Sequence, residues 1–302
     1  MKSRRVFIFS HPRSVCNLFF RLLSTHPSFT TTVPLPFAKP YAFGPESEIP
    51  DPDYDETYQN IFDQLERSIK EIEKTGAVSL TMEHPICILP RTTLNDGAKY
   101  PHSYQSTIQV VDYSLGTQEE ATELELLAEK TNPTIFSDRF FQSITYSIIT
   151  IRHPARDLFL HNLEVISRYR WERLIFESCQ SQGIKVMVVD GDKLVKDSKA
   201  QMKKVCEELG VDESQIQYTW DSADDQNDGL YSHFPESARR AFLGTLHGSE
   251  NVIQHQGKTE ALDLAAEERK WGKEWNEELA GTMRRMVNSS LEDYEYLLQF
   301  SI

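Results

Sequence analysis

The chain has 302 residues, of which 39% are hydrophobic and 11% aromatic, which is enough apolar surface to build a core and excludes wholesale disorder. Its 46 acidic residues outnumber the 32 basic ones, and the net charge is −14 with no basic run. This balance argues against a nucleic-acid partner. It is compatible with an anionic small ligand, because a few local cations and a helix N-terminus can hold one.

The four cysteines lie far apart in the chain and form no CxxC pair. They predict buried, reduced thiols rather than a zinc site, another metal site or a disulfide framework. The apolar run at 6–9 is too short for a signal peptide or a membrane span. We therefore expect a soluble, cytoplasmic protein without a membrane partner. The cysteines are Cys16, Cys87, Cys179 and Cys206.

The first predicted strand is the apolar run at 6–9, which is typical of a strand buried on both faces of a parallel sheet. Leucine and phenylalanine then recur at helical spacing, which predicts a helix over 15–24. Residues 27–55 are rich in proline and in acidic residues. We interpret them as an ordered surface excursion that lines or covers a site.

Helices and strands alternate along the rest of the chain, which predicts an α/β fold with a central parallel sheet flanked by helices. We expect a single domain over 1–302 with a helical C-terminal part at 236–302, and tryptophans that pack in the core or between helices. Ligands of such sheets bind beyond the carboxyl ends of the strands. The further predicted strands are 77–82, 147–151 and 185–190, and the further helices are 55–74, 116–130, 155–181, 198–210, 236–247 and 260–299.

The turn after the first strand has the composition of a phosphate cradle. Backbone N–H groups at a helix start point towards an anion, Arg13 adds a forked charge, and Ser14 or Asn17 adds a side-chain donor. The pattern GxxxxGK[ST] is absent, so the turn is not a Walker A loop. The alternative interpretation is an ordinary strand-to-helix turn with Arg13 in solvent.

Two further strand ends carry residues that are suited to chemistry. Arg152 leaves a predicted strand just before a proline at a helix start, with Arg156 close by, and this arrangement suits an anion. Alternatively, either arginine forms a structural ion pair with Asp157 or another acid. At the end of the second predicted strand, the adjacent Glu83 and His84 can supply a general base, or can merely satisfy backbone groups.

Taken in order over residues 5–220, these segments resemble the sulfotransferase family, which uses 3′-phosphoadenosine 5′-phosphosulfate as donor on a three-layer P-loop-like fold. The likeness is greatest to divergent sulfotransferase-like proteins of fungi. The matching stretches are His11-Pro12-Arg13-Ser14 for the 5′-phosphosulfate loop, Ile149-Thr150-Ile151-Arg152-His153-Pro154 for the strand and loop whose arginine binds the 3′-phosphate, Met82-Glu83-His84 for a Lys-Glu-His motif, and Val188-Val189-Asp190-Gly191-Asp192 with Cys206-Glu207-Glu208-Leu209-Gly210 for the last core strand and the next helix.

The resemblance implies an enzyme that moves a sulfuryl group from this donor to a hydroxyl or amine of a small molecule, with secondary metabolism as its setting. It implies that Arg13 stabilises the leaving group and that Glu83 or His84 takes the proton of the acceptor. No metal is required by this chemistry. The residues implied in donor binding are His11, Arg13, Ser14, Val15, Cys16, Asn17, Arg152 and Arg156.

Four positions depart from the family pattern: Val15 replaces a glycine, Cys16 a hydroxyl residue, Met82 a lysine and Leu160 a serine. Each lost ionic or hydrogen-bonded contact to the donor costs about 1–3 kcal/mol, so the departures bear on donor binding and not on the fold. Two other functions therefore stay open. One is a repurposed enzyme whose Glu–His pair performs donor-independent acid/base chemistry on a metabolite, and the other is a non-catalytic binding protein. The sequence specifies neither the acceptor nor the oligomeric state.

Overall fold

A five-stranded parallel sheet forms the centre of the computed structural model, which describes residues 4–47, 49–95, 110–113, 131–156, 165–220, 231–252 and 262–302. The strands are β1 (Arg5–Ser10), β2 (Phe29–Thr31), β3 (Val78–Glu83), β4 (Tyr146–Ile151) and β5 (Lys185–Asp190). Their order across the sheet is β2-β3-β1-β4-β5, and helices flank the sheet. The predicted three-layer, P-loop-like α/β fold is confirmed.

The apolar runs of the sequence form strands that are buried on both faces. Every residue of β3 is buried, as is every residue of β1 after Arg5. The two strands pair in parallel, with Phe7 opposite Thr81 and Phe9 opposite Glu83. Glu83 is thus the last residue of its strand, one position further than the predicted strand end, and the end of β3 lies beside the end of β1.

The helices agree with most of the sequence predictions, and the described chain adds short elements that the periodicity did not reveal. The predicted helix at 116–130 and position 160 lie outside the described residues. The helices are α1 (Cys16–Ser24), α2 (Ala38–Phe43), α3 (Tyr58–Lys74), α4 (Pro85–Ile88), α5 (Arg91–Asn95), α6 (Asp138–Gln142), α7 (Arg170–Ser181), α8 (Gly191–Lys196), α9 (Ser198–Leu209), α10 (Glu236–His247), α11 (Leu264–Glu274) and α12 (Glu277–Leu298).

The helix predicted over 155–181 is wrong at 165–169, where the chain forms turns before α7 begins. The carbonyl of Ser167 accepts a hydrogen bond from the hydroxyl of Ser290 at 2.6 Å instead of serving a helix. This contact joins the turn to a residue far along the chain, which the local apolar spacing cannot reveal.

The single helix predicted over 260–299 is also wrong, because α11 and α12 are separate. Asn276 has an extended backbone between them, and its side chain accepts a hydrogen bond from the Leu279 N–H at 2.8 Å, which caps α12. Asparagine competes well for such a capping position, so it interrupts a pattern whose apolar spacing continues. Trp275, next to the break, is 51% exposed, so of the two predicted places, in the core or between helices, the core is wrong for this residue.

The described chain divides into two compact units, each made of several segments. The first comprises Met1–Ser10, Pro27–Ile148 and Leu174–Val186, and the second comprises His11–His26, Ile149–Arg173 and Met187–Ile302. The organisation of 1–302 as a single domain stays a prediction.

The core of the first unit is built from aromatic rings. Phe136 lies between Phe140 (ring centroids 4.9 Å apart) and Phe37 (5.6 Å apart), and Phe62 packs on Phe140 at 5.0 Å. Phe62 belongs to α3, whose apolar face is buried. Phe37 belongs to the predicted excursion at 27–55, which contributes β2 and α2 and is therefore partly core rather than all surface.

The core of the second unit includes a cluster from the C-terminal helices, in which Trp271, Ala280, Met283 and Val287 pack with Ala155. All four cysteines are buried and unoxidised, as predicted. Within the described ranges, no helix is both long and apolar enough to cross a membrane, and no group of three metal-ligating side chains occurs.

Candidate functional site

The loop at 11–17 turns the chain from β1 into α1 in an unusual backbone conformation. Arg13 (φ 68°) and Val15 (φ 65°) are both left-handed, and Val15 is the N-cap of α1. The N–H of Phe19 donates to the carbonyl of the N-cap residue Val15 at 3.1 Å. The N–H groups at the start of a helix precede its internal ladder of hydrogen bonds and point out of its N-terminus. A tight turn of this kind at a helix N-terminus suits a bound anion.

Val15 adopts this backbone at a cost, because a left-handed conformation disfavours a residue with a Cβ by about 1–2 kcal/mol. The glycine of the family pattern would adopt it without that cost. Val15 therefore occupies, at this cost, a left-handed position that a glycine would favour.

The side chains of the loop divide between structural and solvent-facing roles. The Ser14 hydroxyl donates to His11 O at 2.6 Å and lies 2.7 Å from the Thr150 hydroxyl, so it closes the turn. Asn17 accepts the hydroxyl of Tyr231 at 3.1 Å, and Cys16 is buried. Arg13 is exposed, and no hydrogen bond or ion pair engages its guanidinium within the described part of the chain. Arg13 is thus the loop side chain that is available to an incoming anion.

His11 braces the loop rather than facing a ligand. It is 1% exposed, its ring stacks on Tyr169 with centroids 3.9 Å apart, and its Nδ1 lies 3.1 Å from a carboxylate oxygen of Glu172. The hydroxyl of Tyr169 in turn accepts the N–H of Arg152 at 2.9 Å and donates to the carbonyl of the same residue at 2.7 Å. Sequence reasoning missed Tyr169 and Glu172, since nothing near them in the chain signals a partnership with the loop.

Arg152 and Arg156 meet at one carboxylate. Arg152 Nε lies 3.0 Å from Asp192 Oδ1, and Arg156 Nη1 lies 2.9 Å from the same oxygen. The alternative interpretation of an ion pair therefore describes both arginines, with Asp192 as the acid; Asp157 lies outside the described residues. Beside them, burial lowers the pKa of His153 below its usual range, with Arg156 adding to the effect and Asp192 opposing it.

Gly191, at the start of α8, lets that helix approach the loop closely. A Cβ at Gly191 would lie 2.5 Å from the carbonyl oxygen of Ser14 and 3.2 Å from a methyl carbon of Val15. We expect Gly191→Ala to lower the free energy of unfolding by about 1–3 kcal/mol, because one of two backbones has to shift. Urea denaturation measures this. Gly244→Ala in α10, where a Cβ meets nothing within 4 Å, is the control and should stabilise by about 0.5–1 kcal/mol. Equal effects of the two substitutions would refute the close approach.

Glu83 lies in the first unit at the end of β3, and its side chain is completely buried. One carboxylate oxygen accepts the N–H of Phe37 at 2.6 Å, and the other accepts the N–H of His84 at 2.7 Å. Burial raises its pKa from 4.5 to about 8, although these hydrogen bonds act in the opposite direction. A carboxyl with both oxygens bonded to the backbone is poorly placed to take a proton from a substrate.

His84 is only partly buried, and its ring is held by Ser10. Nδ1 lies 2.7 Å from the carbonyl oxygen and 3.0 Å from the hydroxyl oxygen of Ser10. A carbonyl oxygen only accepts, so Nδ1 carries the proton, and the neutral ring then has its lone pair on Nε2. This geometry favours His84 over Glu83 as a base. Met82, in place of the family lysine, is wholly buried and contributes no charge.

Comparison of the chain with known proteins finds one distant relative and no matching family model. A sulfotransferase, ppzF of Metarhizium majus, is 21% identical over 346 aligned positions, which cover 98% of this chain and 96% of the relative. The similarity extends over nearly the whole of both chains. It indicates a distant, sulfotransferase-like relationship and suggests a transferase.

Proposed function

We propose that the protein is a sulfotransferase that uses 3′-phosphoadenosine 5′-phosphosulfate and acts on a hydroxyl or amine of a small molecule. The observation that carries the proposal is the loop at 11–17, which opens α1 with two left-handed residues and presents Arg13 to solvent. The relative from Metarhizium majus, a named sulfotransferase similar over nearly its whole length, supports the same class of reaction.

The residues of the loop fit the phosphosulfate end of the donor. The N–H groups at the start of α1 and the guanidinium of Arg13 would hold it, and the bound donor supplies the sulfuryl group. The bond from sulfur to the phosphate oxygen breaks while a bond from sulfur to the acceptor forms, which leaves 3′,5′-adenosine bisphosphate. His84 Nε2 takes the proton of the acceptor. Glu83 does not react. It accepts the N–H groups of Phe37 and His84, the N-cap residues of α2 and α4, and so fixes the start of both helices.

The acceptor is proposed to be a small molecule, of the kind that secondary metabolism supplies. The segment 27–55 carries apolar side chains towards solvent, including Val33 (53% exposed), Phe43 (49%) and Ile49 (81%). An apolar rim with a few polar groups suits a small organic acceptor.

Calorimetric titration with 3′,5′-adenosine bisphosphate tests the donor site. We expect micromolar binding to the wild type and a loss of at least about tenfold in Arg13→Ala, since a charged hydrogen bond contributes about 1.5–3 kcal/mol. Arg240→Ala is the matched control, because that arginine lies on α10 with its side chain 80% exposed and pairs with Glu236. No binding at millimolar nucleotide would refute the proposed donor.

A second candidate is donor-independent acid/base chemistry on a metabolite. It is favoured by the pairing of Arg152 and Arg156 with Asp192, which leaves less charge for a donor, while the arrangement of His84 as a base needs no donor at all. It predicts turnover without added nucleotide. Strict dependence on 3′-phosphoadenosine 5′-phosphosulfate would eliminate it.

A further inference from the structure

The ion-pair cluster of the second unit consists of Arg152, Arg156 and Asp192, in which one carboxylate contacts two guanidiniums. Both guanidiniums bind the same oxygen, at 3.0 and 2.9 Å, and the exposed fractions of the three side chains are 17%, 35% and 17%. Guanidiniums that converge on one point recognise carboxylates and phosphates alike. Here the anion is supplied by the chain itself.

The position of this carboxylate is fixed by the backbone around it. The N–H of Asp192 donates to the carboxylate of Asp190 at 2.9 Å, and Gly191 keeps the same turn against the carbonyl of Ser14. The arginine side is fixed as well, since the N–H of Arg156 donates to His153 O at 2.8 Å. Asp192 is therefore not a mobile surface acid that happens to lie near two cations.

The charges of the cluster determine which ligand it accepts. Two guanidiniums and one carboxylate leave a single positive charge, whereas a phosphate monoester carries close to two negative charges at neutral pH. Such a phosphate would also lie beside the carboxylate, and like charges repel strongly where water is partly excluded. A sugar hydroxyl, in contrast, donates a hydrogen bond to a carboxylate. In dinucleotide enzymes an acidic residue selects the free ribose hydroxyl, and an arginine accommodates its phosphorylated form.

We propose that Asp192 is a specificity-determining residue that competes with the 3′-phosphate of the nucleotide for Arg152 and Arg156. The protein consequently distinguishes 3′,5′-adenosine bisphosphate from 5′-AMP only weakly, and loss of the carboxylate charge restores the discrimination. This inference rests on the proposed function, since it takes the nucleotide as the ligand of the second unit. It does not need Asp192 to take part in the reaction.

The test is calorimetric titration of the full chain, as wild type and as Asp192→Asn, with 3′,5′-adenosine bisphosphate, 5′-AMP and inorganic phosphate. Asparagine keeps the shape and an acceptor oxygen while removing the charge. We expect the substitution to raise the affinity ratio of 3′,5′-adenosine bisphosphate over 5′-AMP by at least about tenfold. The gain should disappear in the triple variant that adds Arg152→Ala and Arg156→Ala, because no freed guanidinium then remains. Asp192→Ala, checked for folding by its thermal midpoint, provides a second charge removal.

The outcomes separate the inference from the proposed function. An unchanged ratio, or weaker binding of 3′,5′-adenosine bisphosphate by both variants at position 192, overturns the inference: Asp192 then positions the arginines, and the proposed donor stands. If neither nucleotide binds any protein but Asp192→Asn binds inorganic phosphate at least about tenfold more tightly than the wild type, the competition holds and the donor proposal fails. If no probe binds any of the proteins, both are refuted.

Discussion

His84→Asn is expected to lower sulfuryl transfer by about 100-fold to 10,000-fold, the usual contribution of a general base, while the affinity for 3′,5′-adenosine bisphosphate stays within about twofold. The asparagine amide can take over the bond that Nδ1 makes to Ser10 O at 2.7 Å, so the end of β3 keeps its anchor. What the variant lacks is the lone pair of Nε2. The loss should appear in kcat rather than in donor binding, because the base acts on the acceptor.

The measurement is transfer from labelled donor to an acceptor found by screening, with parallel reactions that contain no nucleotide. His26→Asn is the control, since His26 is a buried histidine whose Nε2 meets the carbonyl of Asp212 at 3.1 Å, and neither residue has a proposed role in transfer. Activity retained by His84→Asn would show that the ring is only a structural cap. If the wild type also turns over without the donor, and His84→Asn loses activity equally in reactions with and without it, the result would favour the second candidate function.

Four of the five strands and the strand-end residues could be predicted because their signals are local, whereas β2 lies in the segment 27–55 that was interpreted as a surface excursion. Four or five consecutive apolar residues specify a strand buried on both faces, and the residues after each strand then fall at its carboxyl end. The loop at 11–17, the pair Glu83 and His84, and Arg152 were found in this way. The helix breaks at 165–169 and at Asn276 were missed, since one depends on a serine far along the chain and the other on a capping side chain that competes with an intact apolar pattern.

Several partners of the candidate residues could not be predicted, because they lie far away in the sequence. Asp192 stands 40 positions from Arg152, and the pair Ser10 and His84 is separated by 74 positions. The sequence suggested the chemistry of each residue but not the hydrogen-bond or ion-pair partner of its side chain. Those partners decide the roles: Arg13 faces solvent, Arg152 is held by a carboxylate, and Glu83 is bonded to the backbone on both oxygens.

Because Glu83 is buried, its titration should lower the free energy of unfolding as pH rises from about 4.5 to about 8. Its pKa is raised from 4.5 to about 8, so across this range the folded state keeps a proton that the unfolded state has released. The stabilisation is complete below pH 4.5 and is lost as pH approaches 8. At 1.36 kcal/mol per pKa unit, the full effect on the free energy of unfolding is about 5 kcal/mol.

Glu83→Gln isolates this effect. At pH 5 the variant should be less stable than the wild type by about 1–3 kcal/mol, because one of the N–H groups of Phe37 and His84 faces an NH₂ group and loses its acceptor. At pH 9 the order should reverse, since glutamine carries no charge to bury. Urea denaturation at both pH values measures the difference in the free energy of unfolding between wild type and variant, in which all other titrating groups cancel. Glu71→Gln, at a side chain that is 63% exposed, is the comparison. If the wild type instead became more stable relative to the variant as pH rises, the raised pKa would be contradicted. The two N–H groups would then outweigh burial, and Glu83 would be a buried carboxylate that is stabilised by the backbone.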